Sequence, residues 1–118
     1  MSQPYLSVVI PAYNEALTLP LCLQSQVGCP NYEIIVVDNN STDDTVKIAR
    51  EYGVKIVSEK SPGVCAARDA GFKVARGEIV VSTDSDCIHP VNWLAGIGQA
   101  FTDQPDLSLL SGNYRFQN

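Results

Sequence analysis

Short β-branched runs alternate with stretches whose apolar residues recur at helical spacing. Leu6-Ser7-Val8-Val9-Ile10, Glu33-Ile34-Ile35-Val36-Val37, Val54-Lys55-Ile56-Val57 and Ile79-Val80-Val81 read as strands, the first stopped by Pro11. Leu107-Ser108-Leu109-Leu110 reads as a fifth. From Thr18, the residues Leu19, Leu21, Leu23 and Val27 predict a helix ending near Gly28 and Pro30. Val46, Ile48, Ala49 and Tyr52 predict a second helix. Ser41-Thr42-Asp43-Asp44 offers it N-cap chemistry, and Gly53 suits its C-terminal end. Gly63 to Ala75 predicts a third helix closed by Gly77, and Pro90 to Phe101 a fourth.

Strands that are apolar throughout, separated by helices, are buried on both faces. The pattern therefore predicts an α/β fold of three layers, Rossmann-like in outline: a mostly parallel sheet flanked by helices. Ligands of such sheets bind beyond the carboxyl ends of the strands, at a topological switch point. The residues that matter are then Pro11–Glu15, Asp38–Thr42, Ser58–Gly63 and Thr83–Asp86.

Composition narrows the picture. The 118 residues make one domain, 1–118, and 45% hydrophobic with 18% charged residues excludes disorder as the main state. Eight basic against thirteen acidic residues give a net charge of −5, which leaves no basic face broad enough for nucleic acid. No apolar run approaches the about 18 residues of a membrane-spanning helix, and the N-terminus lacks a secretory pattern. The expected location is cytoplasmic, in the cytosol or at the cytosolic face of a membrane. Cys22, Cys29, Cys65 and Cys87 form no C-x-x-C pair, so reduced thiols are expected rather than a zinc site. His89, beside Pro90, reads as a loop histidine.

The loops after the first, second and fourth strands carry Glu15, Asp38, and Asp84 with Asp86. Carboxylates gathered at one sheet edge repel one another unless a cation or hydrogen-bond donors neutralise them. In Asp84-Ser85-Asp86 extended geometry turns the two acids to one side. Hard cations such as Mg²⁺ and Mn²⁺ take oxygen ligands and bridge carboxylates to a diphosphate. Asp38 directly follows its strand and is not needed for the helix cap. Its carboxylate can accept from a base or a ribose, or from a neighbouring backbone amide. Arg68 lies in an Ala-rich helix and can face the acids, as a ligand contact or as a salt bridge. There is no G-x-G-x-x-G after a strand, no P-loop and no G-x-S-x-G elbow.

Taken in order, Val8-Val9-Ile10-Pro11-Ala12-Tyr13-Asn14-Glu15, Ile35-Val36-Val37-Asp38-Asn39-Asn40-Ser41-Thr42-Asp43, Gly63 through Ala67-Arg68-Asp69-Ala70-Gly71, and Ala75-Arg76-Gly77-Glu78 running into Asp84-Ser85-Asp86 cover nearly the whole chain. This combination resembles the N-terminal, nucleotide-sugar-binding half of family 2 inverting glycosyltransferases of the GT-A fold. The resemblance implies a UDP- or GDP-linked sugar donor, an acceptor of unknown type, and Mg²⁺ or Mn²⁺. By this likeness Pro11, Tyr13 and Glu15 line the nucleoside site and Asp38 contacts the base. Arg68 lies near the nucleotide, Asp84 approaches the ribose, and Asp86 binds the metal. Asn39 stands where many relatives carry a second acid, Asp69 where an asparagine is common, and Cys87 where a further Asp often follows. The family's domain continues for about as long again, so a truncated fold is expected here. The acceptor site and the general base belong to that further half, and no catalytic base is assigned within this chain. Two other readings stand beside this one. A non-catalytic nucleotide- or partner-binding module would form a homo-oligomer through the truncated sheet. A sugar-phosphate nucleotidyltransferase would want a glycine-rich, basic loop after the first strand, and Pro11–Glu15 is neither.

Overall fold

The computed structural model describes residues 4–25, 31–89, 93–104 and 106. Strands and helices alternate: β1 (Leu6–Ala12), α1 (Leu19–Gln24), β2 (Tyr32–Asp38), α2 (Thr45–Glu51), β3 (Lys55–Ser58), α3 (Val64–Val74), β4 (Ile79–Ser82) and α4 (Trp93–Asp103). The strands form one parallel sheet in the order β3-β2-β1-β4. The Leu107–Leu110 run lies outside the described residues. The first predicted helix is described to Gln24, with Ser25 as its C-cap.

Alternation along β1 sends Leu6, Val8, Ile10 and Ala12 to one face and Val9 to the other. On the first face they meet Leu19, Cys22 and Leu23 of α1, Ala49 of α2 and Leu94 of α4. On the second, Val9, Ile35 and Val37 meet Ala67 of α3, with Ala70 and Val74 beside it. These are the three layers that the apolar runs demanded. Among the described residues no helix is long and apolar enough to cross a membrane.

Pro11 does not stop β1; it pairs in register with Val37 and the strand runs on to Ala12. The reason is directional. In a parallel strand successive residues turn their backbone groups to alternate neighbours. Ala12 accepts from Asn39 N on the β2 side and Val9 from Thr83 N on the β4 side. Pro11 therefore turns toward β4, whose pairing has ended at Val9–Ser82. The missing N–H costs no ladder bond there.

Two glycines set how closely α3 and its exit lie on the sheet. A Cβ at Gly71 would stand 2.9 Å from Val37 Cγ2 and closer still to Val9 Cγ1. Gly77, predicted as a helix terminator, instead packs on β1, and the helix ends at Ala75 in extended backbone. Gly77 N donates to Ser7 Oγ at 2.7 Å, and Ser7 Oγ donates to Glu33 Oε2 at 2.5 Å. Arg76 N donates to the same carboxylate oxygen at 2.8 Å.

This chain of bonds carries a testable pH signature. Partial burial disfavours the Glu33 charge, but the Ser7 hydroxyl, the Arg76 amide and the positive charges of Lys55 and Arg76 outweigh it. The carboxyl is held below its ordinary 4.5. A depressed carboxylate adds stability above its unfolded pKa and loses it as pH falls through the folded value. Glu33→Gln should therefore cost about 1–2 kcal/mol in urea denaturation at pH 7. The gap to wild type should shrink as pH drops below 4.5. A gap that is independent of pH would contradict the charged role of Glu33.

Candidate functional site

Strand order reverses at β1: β2 and β3 lie to one side, β4 to the other. A cleft of about 250 Å³ opens beyond the carboxyl ends at this switch point. It is lined by Pro11 and Ala12 at the end of β1, Tyr13 and Glu15 after it, Asn39 after β2, Val64 and Ala67 of α3, and Asp84, Ser85 and Asp86 after β4.

The loop after β1 is built against the loop after β2. Asn14 sits at φ 52°, a left-handed conformation that asparagine tolerates. Its Oδ1 accepts from Thr42 N at 2.7 Å and Asp43 N at 3.3 Å, while Asn14 N donates to Ser41 Oγ at 3.0 Å. Glu15 N donates to Thr45 Oγ1, and Glu15 Oε2 accepts from Thr18 Oγ1, both at 3.0 Å. The capping expected of Ser41 or Thr42 through Asp44 thus falls to the second half of that segment, while Ser41 and Thr42 bond Asn14. Asp44 occupies the N-cap position without a side-chain bond. Asp43 takes over, accepting from Thr45 N at 3.0 Å and from Ala16 N at 3.2 Å. Its carboxyl is held below the usual range, first by the Thr45 hydroxyl and then by these backbone amides. Asp43 thus serves both the start of α2 and the junction of the two loops.

Asp38 is buried and its Oδ1 accepts from Ser41 N at 3.2 Å. It stands behind the cleft wall, which its neighbour Asn39 lines. Asn39 Nδ2 donates to Glu59 O at 2.7 Å and Ser61 O at 2.8 Å, and its Oδ1 accepts from Gly63 N at 3.2 Å. In the sequence Asn39 stands out only as a departure from a family pattern. Its place, first after a strand end, was the signal.

Arg68 does not line the cleft. Its Nη2 donates to Asp84 Oδ1 at 2.7 Å, and its buried Nε finds no partner among the described residues. The paired side chains are 36% and 49% exposed, so water screens much of the attraction. The pair's value lies in aiming Asp84.

The turn that carries Asp84 and Asp86 is braced from several sides. Thr83 N donates to Val9 O at 3.1 Å, Cys87 N to Asp84 O at 3.2 Å, and Cys22 Sγ to Asp84 O at 3.5 Å. Ser85 is buried. His89, read from sequence as a loop residue, bonds Thr83 Oγ1 through Nε2 at 3.0 Å. Its backbone N donates to Ser25 Oγ at 2.9 Å, and its ring stacks on Trp93 at 3.6 Å. Burial lowers its pKa, keeping the imidazole neutral at pH 7.

The structure thus brings Glu15, Asp84 and Asp86 to one cleft and leaves Asp38 and Arg68 just behind its walls. One oxygen from each of Asp84 and Asp86 and the Cys87 sulfur lie within 4.8 Å of one another. Two carboxylates on one turn, Asp84 half-buried and Asp86 exposed, form a donor set of the kind hard divalent cations take.

Residues 7–118 match the model of the family described as "Glycosyl transferase family 2". A "Glycosyltransferase AglE" of Haloferax volcanii is 32% identical; the match covers 96% of this chain and 40% of that protein. S. aureus TarS 1-349, crystallised in complex with UDP-GlcNAc, superposes with a TM-score of 0.76 at 25% identity, over 95% of this chain and 37% of TarS. The mannosyltransferase PcManGT of Pyrobaculum calidifontis, in complex with GDP-Man and Mn²⁺, gives a TM-score of 0.76 at 29% identity. That match covers 87% of this chain and 34% of PcManGT. This chain spans about two-fifths of the length of such relatives.

Proposed function

Since the chain belongs to glycosyl transferase family 2, we propose that its cleft is the donor site of a glycosyltransferase that moves a sugar from a nucleoside diphosphate to an acceptor hydroxyl with inversion. The observation that carries this reading is the cleft itself. It lies at the switch point of a parallel sheet and is walled by Glu15, Asp84 and Asp86. Relatives of the same fold are described with UDP-GlcNAc, GDP-Man and Mn²⁺ bound.

We assign Pro11, Tyr13 and Glu15 to the nucleoside. Asp38, whose Oδ1 accepts from Ser41 N behind the cleft wall, is assigned to the base. Asp84 goes to the ribose, kept in place by Arg68 beside the nucleotide, and Asp86 holds Mg²⁺ or Mn²⁺. The ion, when bound, offsets the negative charge that builds on the departing diphosphate. The protein's part is to orient and to hold. The turn from Thr83 to His89 is fixed at both ends, so Asp86 meets its ion with little reorganisation. The carboxylates of the cleft all serve the donor in this assignment. The general base for the acceptor is assigned to the further length that the relatives have. Binding, rather than turnover, is therefore the property to measure. Among the described residues, the free thiols of Cys65 and Cys87 support a reducing, cytosolic setting.

Calorimetric titration with UDP and GDP, with and without Mn²⁺, tests the reading. Metal-dependent binding of at least one nucleotide is expected, and the preferred one identifies the base. No heat with either nucleotide in the presence of Mn²⁺ would overturn it.

A further inference from the structure

Asn39 joins three segments that meet at the cleft. Its backbone N donates to Ala12 O at 2.9 Å, tying it to the end of β1. Its side chain reaches the opposite way, to Glu59, Ser61 and Gly63 in the segment between β3 and α3. Gly63, at φ 112°, is the N-cap of α3, and the next residue, Val64, is already cleft wall. Asn39 thus spans the distance from β1 to the start of α3.

The chemistry of the three bonds is specific to an amide. Both N–H groups of Nδ2 go to backbone carbonyls, and Oδ1 accepts a backbone N–H. A carboxylate of the same shape has no donor to offer at neutral pH. It would set a negative charge against two carbonyl oxygens now 2.7 and 2.8 Å from Nδ2. An alanine would lose the three bonds but add no repulsion.

We propose that Asn39 is a positioning residue for donor binding: its amide clamps the β3–α3 segment and so fixes the Val64–Ala67 wall of the cleft. The link to nucleotide rests on the donor-site reading above; the clamp itself does not.

The test uses Asn39→Asp and Asn39→Ala in the full chain. One readout is amide hydrogen exchange, and the other is calorimetric affinity for UDP and GDP with Mn²⁺. In Asn39→Asp, exchange over residues 59–66 should quicken about tenfold or more, while β1 and β2 keep their protection. Affinity should fall by about tenfold, the scale of one lost charge-sensitive bond network, and Asp should be no milder than Ala. Wild-type protection and affinity in Asn39→Asp would overturn the proposal. So would a loss of protection spread evenly through β1 and β2, or a damaging Ala beside a harmless Asp. If wild type binds neither nucleotide, the donor-site reading fails, and exchange over 59–66 alone decides the clamp.

Discussion

Asp86→Ala should weaken Mn²⁺-dependent nucleotide binding by about 100-fold or more. Removing a group that merely orients a metal ligand commonly costs 10–100-fold in affinity, and loss of a ligand itself should reach at least the upper end. Asp86 is exposed on a turn held by Thr83, Cys87 N and His89, not by the Asp86 carboxylate. The variant should therefore fold as wild type does, and the loss is read in binding alone. Asp86→Asn keeps the shape but gives up the charge, and should lose nearly as much. Calorimetry with Mn²⁺ and the preferred nucleotide measures both. Metal-free binding should be weak in wild type and change little, because the charge then serves no ion. Undiminished metal-dependent binding in Asp86→Ala would remove Asp86 from the metal site.

The second large effect is on stability. Gly77→Ala should cost about 3 kcal/mol, or leave the protein insoluble. Its Cβ would lie 2.7 Å from both Ser7 N and Ser7 Oγ and 2.8 Å from Leu6 C. Overpacked side chains can swing aside at a typical cost of about 1–3 kcal/mol, but the backbone of a central strand cannot. The same shift would stretch the Gly77–Ser7–Glu33 chain of bonds. Gly96→Ala is the matched control. Nothing lies within 4 Å of its Cβ, and it sits in α4, so it should be neutral or stabilising by up to about 1 kcal/mol. Urea midpoints compare the two directly. Equal midpoints would mean that the Gly77 contact can relax.

Most of the architecture was legible because burial leaves a one-dimensional trace. Val8, Val9 and Ile10, or Ile35, Val36 and Val37, are apolar in succession only when both faces are covered, and the helices between them forced parallel pairing. What was not legible depended on direction and partner. Pro11 looked like a terminator, since the sequence does not say which side of β1 lacks a neighbour at that level. Ser41 and Thr42 looked like caps, since their bonds to Asn14 join residues nearly thirty positions apart. In the site, Glu15, Asp84 and Asp86 were found from their place after strands. Asn39 was passed over because an amide carries no charge to draw attention, and His89 because its partners Thr83 and Trp93 become neighbours only in the turn.

The order of strands also governs how the molecule comes into being. β1, which precedes its partners in the chain, is an inner strand: it waits for Tyr32–Asp38 on one flank and for Ile79–Ser82 on the other. Sequence-distant pairings of this kind slow the search for the native state. A nascent chain released from the ribosome with β4 still unmade carries an open β1 edge, a template for unwanted self-association. The residues that complete the cleft, Asp84 and Asp86, emerge just after the strand that seals that edge, so ligand binding can reward only chains whose sheet is already closed.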